Sequence, residues 1–327
     1  MTLARLASRR LLQLAFVLVL VTFFTASLLS MVPGDPVDTL LPFADDTNET
    51  VQQRKAELRE RLDLDEPLPV RYWGWLTDFA SGEFGNYYRV TGEDPVGDRL
   101  SAALPVSLQL MVYSMVLALA VAIPMGVLTA YRAGTRFDRA GNTTAFALLA
   151  APVFVIGLVL AYYVGVWLGW LPVSGYVHFG DDPAEHFRRM ILPTLTLAAG
   201  QIAIYMRLLR TDMVATLQED FVQMARSKGI SDQRVLWRHA LRPSSLTLLT
   251  VAGLNVGVLI SGAVVVEVIY NLPGLGLALV EAFNERQYVA IQAFVAVIAI
   301  VYVLVNFVVD LLYTVVDPRI RHARADS

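Results

Sequence analysis

Leu100–Tyr131, LSAALPVSLQLMVYSMVLALAVAIPMGVLTAY, contains no charged residue. A helix crosses the hydrocarbon core of a bilayer in about 20 residues, so this stretch is long enough to span it. Charge-free windows recur on either side of it: Leu11–Gly34, Ala140–Gly180, Met190–Met206, Ser244–Val266 and Gln287–Val309. The chain of 327 residues is 56% hydrophobic and only 17% charged, with a mean hydropathy of +0.53. A soluble domain carries about a quarter charged residues. An all-α polytopic membrane protein with six transmembrane helices follows from these windows.

The third window is too long for one span. Its tail, GWLPVSGYVHFG (Gly169–Gly180), is rich in Gly, Pro and aromatics and reads as an interfacial loop, leaving a span over residues 142–168. The fourth window is short, but Arg189 and Arg207 can snorkel from its ends. The chain then divides into residues 1–34, a tail and first helix; 35–99, a large extracytoplasmic loop with short helices; and 100–327, a five-helix core. Within that core lies a cytoplasmic loop at about 207–243.

The net charge of −3 says little, because the charges are segregated. Short loops set orientation through Lys and Arg. Arg5, Arg9 and Arg10 precede the first span; Arg132, Arg136 and Arg139 follow the second. Arg207, Arg210, Arg226, Lys228, Arg234, Arg238 and Arg242 separate the fourth from the fifth, and Arg319, Arg321 and Arg324 follow the sixth. All fall on one side of a six-span arrangement, which places both termini in the cytoplasm. The basic start and apolar run at the N-terminus also fit a secretory signal. That run is too long for a signal core, however, and no A-x-A site precedes Pro33-Gly34-Asp35. A retained first span is expected.

The loop over 35–99 is acidic. Asp46-x-x-Glu49 resembles a capping box that opens a polar helix over Asn48–Leu62, with Pro67 and Pro69 expected to stop it. Tyr72, Trp73, Trp75 and Phe79, continued by Phe84, Tyr87 and Tyr88, suggest packing on a neighbouring helix or on the membrane surface.

The absence of cysteine excludes disulfides, thiolate metal sites and cysteine nucleophiles. The histidines, His178, His186, His239 and His322, have no metal spacing and fall in loops. None of the six spans holds an internal Asp, Glu, Lys or Arg, the group that ion-coupled transporters place inside the membrane. That argues against a self-powered pump and for a passive path, or one driven by a partner. Ser107, Gln109, Ser114, Asn142, Gln201, Asn255, Ser261 and Asn306 are the polar residues available. Gln109, Ser114, Gln201, Asn255 and Ser261 are candidates for lining a path, although interhelical hydrogen bonding is the commoner use. Gly253, Gly257 and Gly262 suit close helix packing.

The segment DFVQMARSKGISDQRVLWRHALRP, Asp220–Pro243, carries most functional information. Met213, Leu217, Phe221, Met224 and Ala225 recur at helical spacing. Arg226 and Lys228 suit the last turn of a helix, and Gly229 a left-handed C-cap. Ser231 is placed to cap a second helix, with Val235, Leu236, Ala240 and Leu241 as its apolar face and Pro243 as its end. The result is a basic amphipathic elbow. Lipid binding, bracing of the bundle and docking of a soluble partner are all physically open to it.

Gln223-Met224-Ala225-Arg226-Ser227-Lys228-Gly229, followed by Leu241-Arg242-Pro243, resembles the EAA loop of ABC importer permeases. Ala225 and Gly229 keep the spacing; Gln223 and Met224 stand in for Glu and Ala. Arg9–Leu12, Val32–Pro36, LDLDEPLPVRYWGWL (Leu62–Leu76), Gly82-Glu83-Phe84-Gly85, Ile123–Gly126, Glu267–Gly276 and Asp317-Pro318-Arg319 are similar to the B-type permease of dipeptide, oligopeptide and nickel importers. The resemblance runs over nearly the whole chain. It implies the type I importer fold and a bacterial or archaeal inner membrane. It also implies a C-type permease partner, two ATPase subunits or domains that bind ATP and Mg, and an extracytoplasmic binding protein. Phe221, Gln223, Met224, Ala225, Arg226, Lys228 and Gly229 would dock the ATPase. The chain itself would bind no cofactor, metal or nucleic acid and catalyse nothing. Peptides are the expected cargo, with nickel or another small solute as the alternative. An ion-coupled transporter or an intramembrane enzyme lacks the residues it needs.

Overall fold

The computed structural model describes residues 3–32, 37, 49–61, 63–89 and 92–316. Asp46 of the expected capping box, most of Val32–Pro36 and all of Asp317-Pro318-Arg319 lie outside the described residues. The described chain is nearly all helical, with one two-stranded hairpin. Four of its helices are long and apolar enough to cross a membrane unbroken: α1 (Leu3–Met31), α4 (Val96–Tyr131), α7 (Pro183–Thr216) and α13 (Tyr288–Val316). Two bent pairs bring the number to six if each is one span.

The first pair is α5 (Arg136–Ala150) with α6 (Val153–Leu160), which continues as a π-helical turn over Ala161–Trp167. Its halves meet at 103°, so the expected straight span over 142–168 is corrected. Pro152 explains the break. Its ring disfavours helical backbone at the residue before it, and Ala151 is extended at φ −84°, ψ 125°. The second pair is the helix that ends with α10 (Leu241–Leu254), followed by α11 (Val256–Tyr270), bent by 50° at Asn255. Pro124, by contrast, lies inside α4 without interrupting it.

The helices also run past their apolar windows. α7 has 34 residues where the apolar window suggests a short span. It therefore reaches about 50 Å at 1.5 Å per residue. Its start is set by Asp182, whose side chain accepts from the Ala184 and Glu185 amides, with Pro183 at the first helical position.

The described residues fall into two compact units, within Met1–Val106 with Pro273–Leu304 and within Ser107–Leu272 with Val305–Ser327. In the first, α2 (Glu49–Arg61) precedes α3 (Leu68–Ser81), and a hairpin pairs Asn86–Arg89 with Gly92–Pro95. Pro67 and Pro69 do not stop α2; they open α3, Pro67 at its cap and Pro69 in its first turn. The aromatic cluster packs α3 on α1. The Tyr72 hydroxyl lies 2.9 Å from Thr22 Oγ1 and donates to the Val19 carbonyl, and Phe23 meets the Tyr72 ring edge-on. Tyr72, Trp75, Phe79 and Phe84 continue as a chain of ring contacts.

Behind them Tyr87, Val96, Leu100, Leu275, Ala290 and Phe294 form the core with α12 (Leu275–Asn284). The Gln287 side chain bridges to the hairpin. Its amide donates to the Tyr88 carbonyl at 2.6 Å and accepts from the Tyr88 amide at 3.0 Å. Tyr87 donates to Glu285, and burial and that carboxylate push its hydroxyl above the usual phenol range.

In the second unit α4, α5, α7 and α10 pack through small side chains. Ala118, Ala122, Ala198, Ala203 and Ala240 alternate with Tyr205, Leu209, Met213 and Leu248. Lipid offers no hydrophobic drive for helix association, so close approach through small residues supplies the contact. Gly262 is one such point, since a Cβ there would meet Leu197 at 2.8 Å. Its role is packing within the chain.

Candidate functional site

α7 ends at Thr216, and after a three-residue turn the chain re-enters a helix, α8 (Asp220–Ser227). Met213 and Phe221 therefore do not share one helix, although their spacing suggests it. Met213 is buried in the bundle core at the end of α7. Val222 and Ala225 of α8 are buried against Val235, with Leu217 and Ile230 beside them, and this small apolar cluster holds the elbow closed. Gly229 has φ +76°, with its amide donating to the Arg226 carbonyl and the Ile230 amide to that of Ala225. Those bonds close the left-handed C-cap that the sequence suggests.

Ser231 does stand at the cap position of the next helical turn, α9 (Asp232–Arg234), but its side chain makes no capping bond. A π-helical turn over Val235–Ala240 follows and runs straight into α10. Pro243 thus does not end the helix; it lies in the first turn of α10. A widened turn just before a proline is one way to absorb its missing N–H.

The outward face of α8 is the informative one. With Val222 and Ala225 facing inward, Phe221 is 45% exposed and Met224 56%. Gln223, Arg226, Lys228 and Gly229 surround them, all exposed. Gln223 also bonds the Gln218 carbonyl. Arg226 lies 3.8 Å from Asp232, and the hydroxyl of Tyr131, the last residue of α4, donates to Asp232 at 3.2 Å.

A second device sits close by in sequence. Arg210, in the last turns of α7, donates through Nε to Asp138 Oδ1 at 2.5 Å and through Nη2 to Oδ2 at 2.6 Å. Asp138, only 3% exposed, also accepts from the Gly134 amide and the Asn142 side chain. The pair ties the start of α5 to the helix that leads into the elbow.

The five candidate path residues are scattered, and no hydrogen bond joins any two of them. Gln109 accepts from Tyr176 at 2.9 Å, in the expected interfacial loop. Ser114 is buried and donates to the Thr194 carbonyl. Gln201 is buried with its Oε1 unpaired, and Asn255, at the bend, has its Nδ2 buried and unpaired. Ser261 is exposed and bonds back to Gly257.

The described helices do contain charge, which corrects the expectation that the spans hold none. Glu267 lies inside α11, 1% exposed, and Ser107 of α4 donates to it at 2.6 Å. Ending each apolar window at its first charge hid this residue, since Val266 closes the window. His186 is likewise no loop residue. It is buried in the first turn of α7, with Nδ1 2.7 Å from the Val177 carbonyl and Nε2 3.2 Å from the Tyr113 hydroxyl. Rings of Tyr113, Tyr176, Phe179 and Phe187 box it in. His239 lies in the π-helical turn.

Comparison with known proteins accounts for this layout. Residues 122–322 match the family described as binding-protein-dependent transport system inner membrane component, and residues 3–95 match its N-terminal part. Among curated relatives, a probable peptide ABC transporter permease protein of Sinorhizobium fredii is 39% identical, covering 96% of this chain and 98% of the relative. A di/tripeptide transport system permease protein of Pseudomonas aeruginosa is 35% identical, over 93% and 95%. A glutathione transport system permease protein of Salmonella choleraesuis is 34% identical, over 96% and 98%. With both parts of the family matched over residues 3–95 and 122–322 and relatives covered nearly end to end, this chain belongs to the inner membrane components of binding-protein-dependent transport systems.

Proposed function

We propose that this chain is one of two permease subunits of an ATP-driven importer of short peptides, and that the elbow is where the ATPase docks. The observation that carries the docking assignment is the outward Phe221–Met224 pair on a helix whose other face is already buried. The peptide assignment is supported by the relatives, which carry peptide, di/tripeptide and glutathione transport in their names. In this reading Phe221 and Met224 form an apolar knob, Gln223, Arg226 and Lys228 a polar rim, and Ala225 and Gly229 hold the turn. ATP and Mg belong to the ATPase subunits, and this chain hydrolyses nothing. A C-type permease completes the path, and an extracytoplasmic binding protein delivers the peptide.

The Lys and Arg bias puts the elbow and both termini in the cytoplasm and residues 35–99 outside. Residues 1–34 then form the entry helix and 100–327 the core. ATP-driven closure of the ATPases moves the elbow as a rigid body. α7 leads directly into the turn that opens the elbow, and the Asp138–Arg210 pair makes the start of α5 follow. The spans rock between inward- and outward-open states. Gln109, Ser114, Gln201, Asn255 and Ser261 are the polar groups offered to the peptide on its way.

The test is Gly229→Asp. Asp tolerates left-handed backbone better than most residues, so strain of about 1 kcal/mol leaves the fold standing. It also puts a carboxylate among Arg226 and Lys228 at the docking face. Membrane insertion is expected at wild-type level, with loss of ATPase co-purification and of peptide uptake. Normal uptake by this variant refutes the docking assignment.

A further inference from the structure

The first unit contains a cavity of about 170 Å³ beside α3, an order of magnitude more than one water requires. Two side-chain donors in its lining, Trp75 Nε1 and the Tyr288 hydroxyl, are buried and have no hydrogen-bond partner among the described residues. Buried polar groups without partners are rare, and each calls for an acceptor. Arg71 and Asp78, also in the lining, form no ion pair with any described residue. Arg71, Trp75 and Asp78 stand at i, i+4 and i+7, so they share one face of α3. The face thus presents a cation, an indole N–H and a carboxylate in line, with about 10 Å between the first and last backbone positions.

We propose that this cavity binds a short peptide with free termini. The peptide carboxylate meets Arg71, its ammonium meets Asp78, and its backbone carbonyls accept from Trp75 and Tyr288. An extended chain spans about 3.3–3.6 Å per residue, so three residues cover that distance. A phosphoethanolamine headgroup separates its charges by only a two-carbon bridge, much shorter than that spacing. The site goes beyond the transport reading and rests on it only for the choice of peptide as cargo. It would be a holding place within the first unit.

The experiment uses the assembled permease–ATPase complex in nanodiscs, without binding protein. The probe is radiolabelled alanyl-alanyl-phenylalanine in equilibrium dialysis, compared with the same tripeptide acetylated and amidated. Saturable binding of the free tripeptide is expected, at least tenfold weaker with both termini blocked. Arg71→Gln is expected to weaken it at least tenfold, as loss of a charge-assisted bond predicts, and Tyr288→Phe several-fold. Trp73→Phe, exposed and outside the lining, should leave it unchanged, and gel filtration checks that each variant still assembles. No saturable binding overturns the proposal. Binding indifferent to Arg71→Gln and to blocked termini also overturns it. So does a phospholipid that native mass spectrometry finds on the wild type but not on Arg71→Gln. Peptide uptake by cells carrying the wild-type system is scored separately: uptake without dialysis binding removes the site and leaves the transport reading standing.

Discussion

Asp138 and Arg210 illustrate how much one buried pair can hold. Removing only the arginine leaves a carboxylate at 3% exposure facing Gly134 and Asn142 without a countercharge. Arg210→Ala should therefore cost about 3–5 kcal/mol, the usual penalty for breaking a buried pair from one side. The double change Asp138→Ala/Arg210→Ala should recover at least about 1 kcal/mol of that loss, because the stranded charge is gone too. Thermal denaturation of the detergent-solubilised variants reads both, and equal losses for the single and double variants would contradict this account. Ser107 and Glu267 obey the same logic more gently. Ser107→Ala removes one charge-assisted donor at 2.6 Å and should destabilise by about 1–3 kcal/mol.

At the scale of elements, α8 is a two-faced helix and its faces should separate experimentally. Phe221→Ser alters only an exposed side chain, so stability should stay within about 0.5 kcal/mol. Docking of the ATPase and uptake should nonetheless fall sharply, measured as ATPase recovered per permease and as peptide accumulated. Val222→Ala instead opens a gap in the Val222–Ala225–Val235 cluster. Its cost of roughly 1–2 kcal/mol should appear locally, because the cluster is small and opens apart from the main core. Hydrogen exchange should quicken over 220–230 while the spans keep their protection. The elbow was legible in the sequence because its signals are local: a glycine that needs φ +76° and apolar residues at helical spacing. Pro243, by contrast, misled. A proline removes one backbone donor from a helix, and a widened turn such as the π-helical one over Val235–Ala240 is one way to carry the helix through it.

For the molecule as a whole, orientation is the property with a direct test. The chain has no cysteine, so single cysteines can be introduced one at a time and probed with a membrane-impermeant maleimide on intact spheroplasts. Glu57→Cys should react from outside, and Lys228→Cys only after the membrane is permeabilised. The reverse pattern would invert the charge-bias argument. The family resemblance and the six apolar stretches were both readable in advance. Hydrophobic length and Lys/Arg placement answer to the bilayer, and the bilayer acts on each segment separately.

Amino-acid order alone determined the number of apolar crossings to look for, the aromatic cluster of α3 without what it packs on, and the glycine turn of the elbow without which face of α8 is exposed. Each depends on residues close together in the chain or on transfer between water and lipid. Only tertiary structure decided that the third crossing folds back at 103° and that the fifth bends at Asn255. It also decided that Glu267 is buried against Ser107, and that Arg210 finds Asp138 at a separation of 72 positions. A charge near the end of an apolar stretch reads as a boundary until a partner from another helix satisfies it. That partner exists only once the helices have packed.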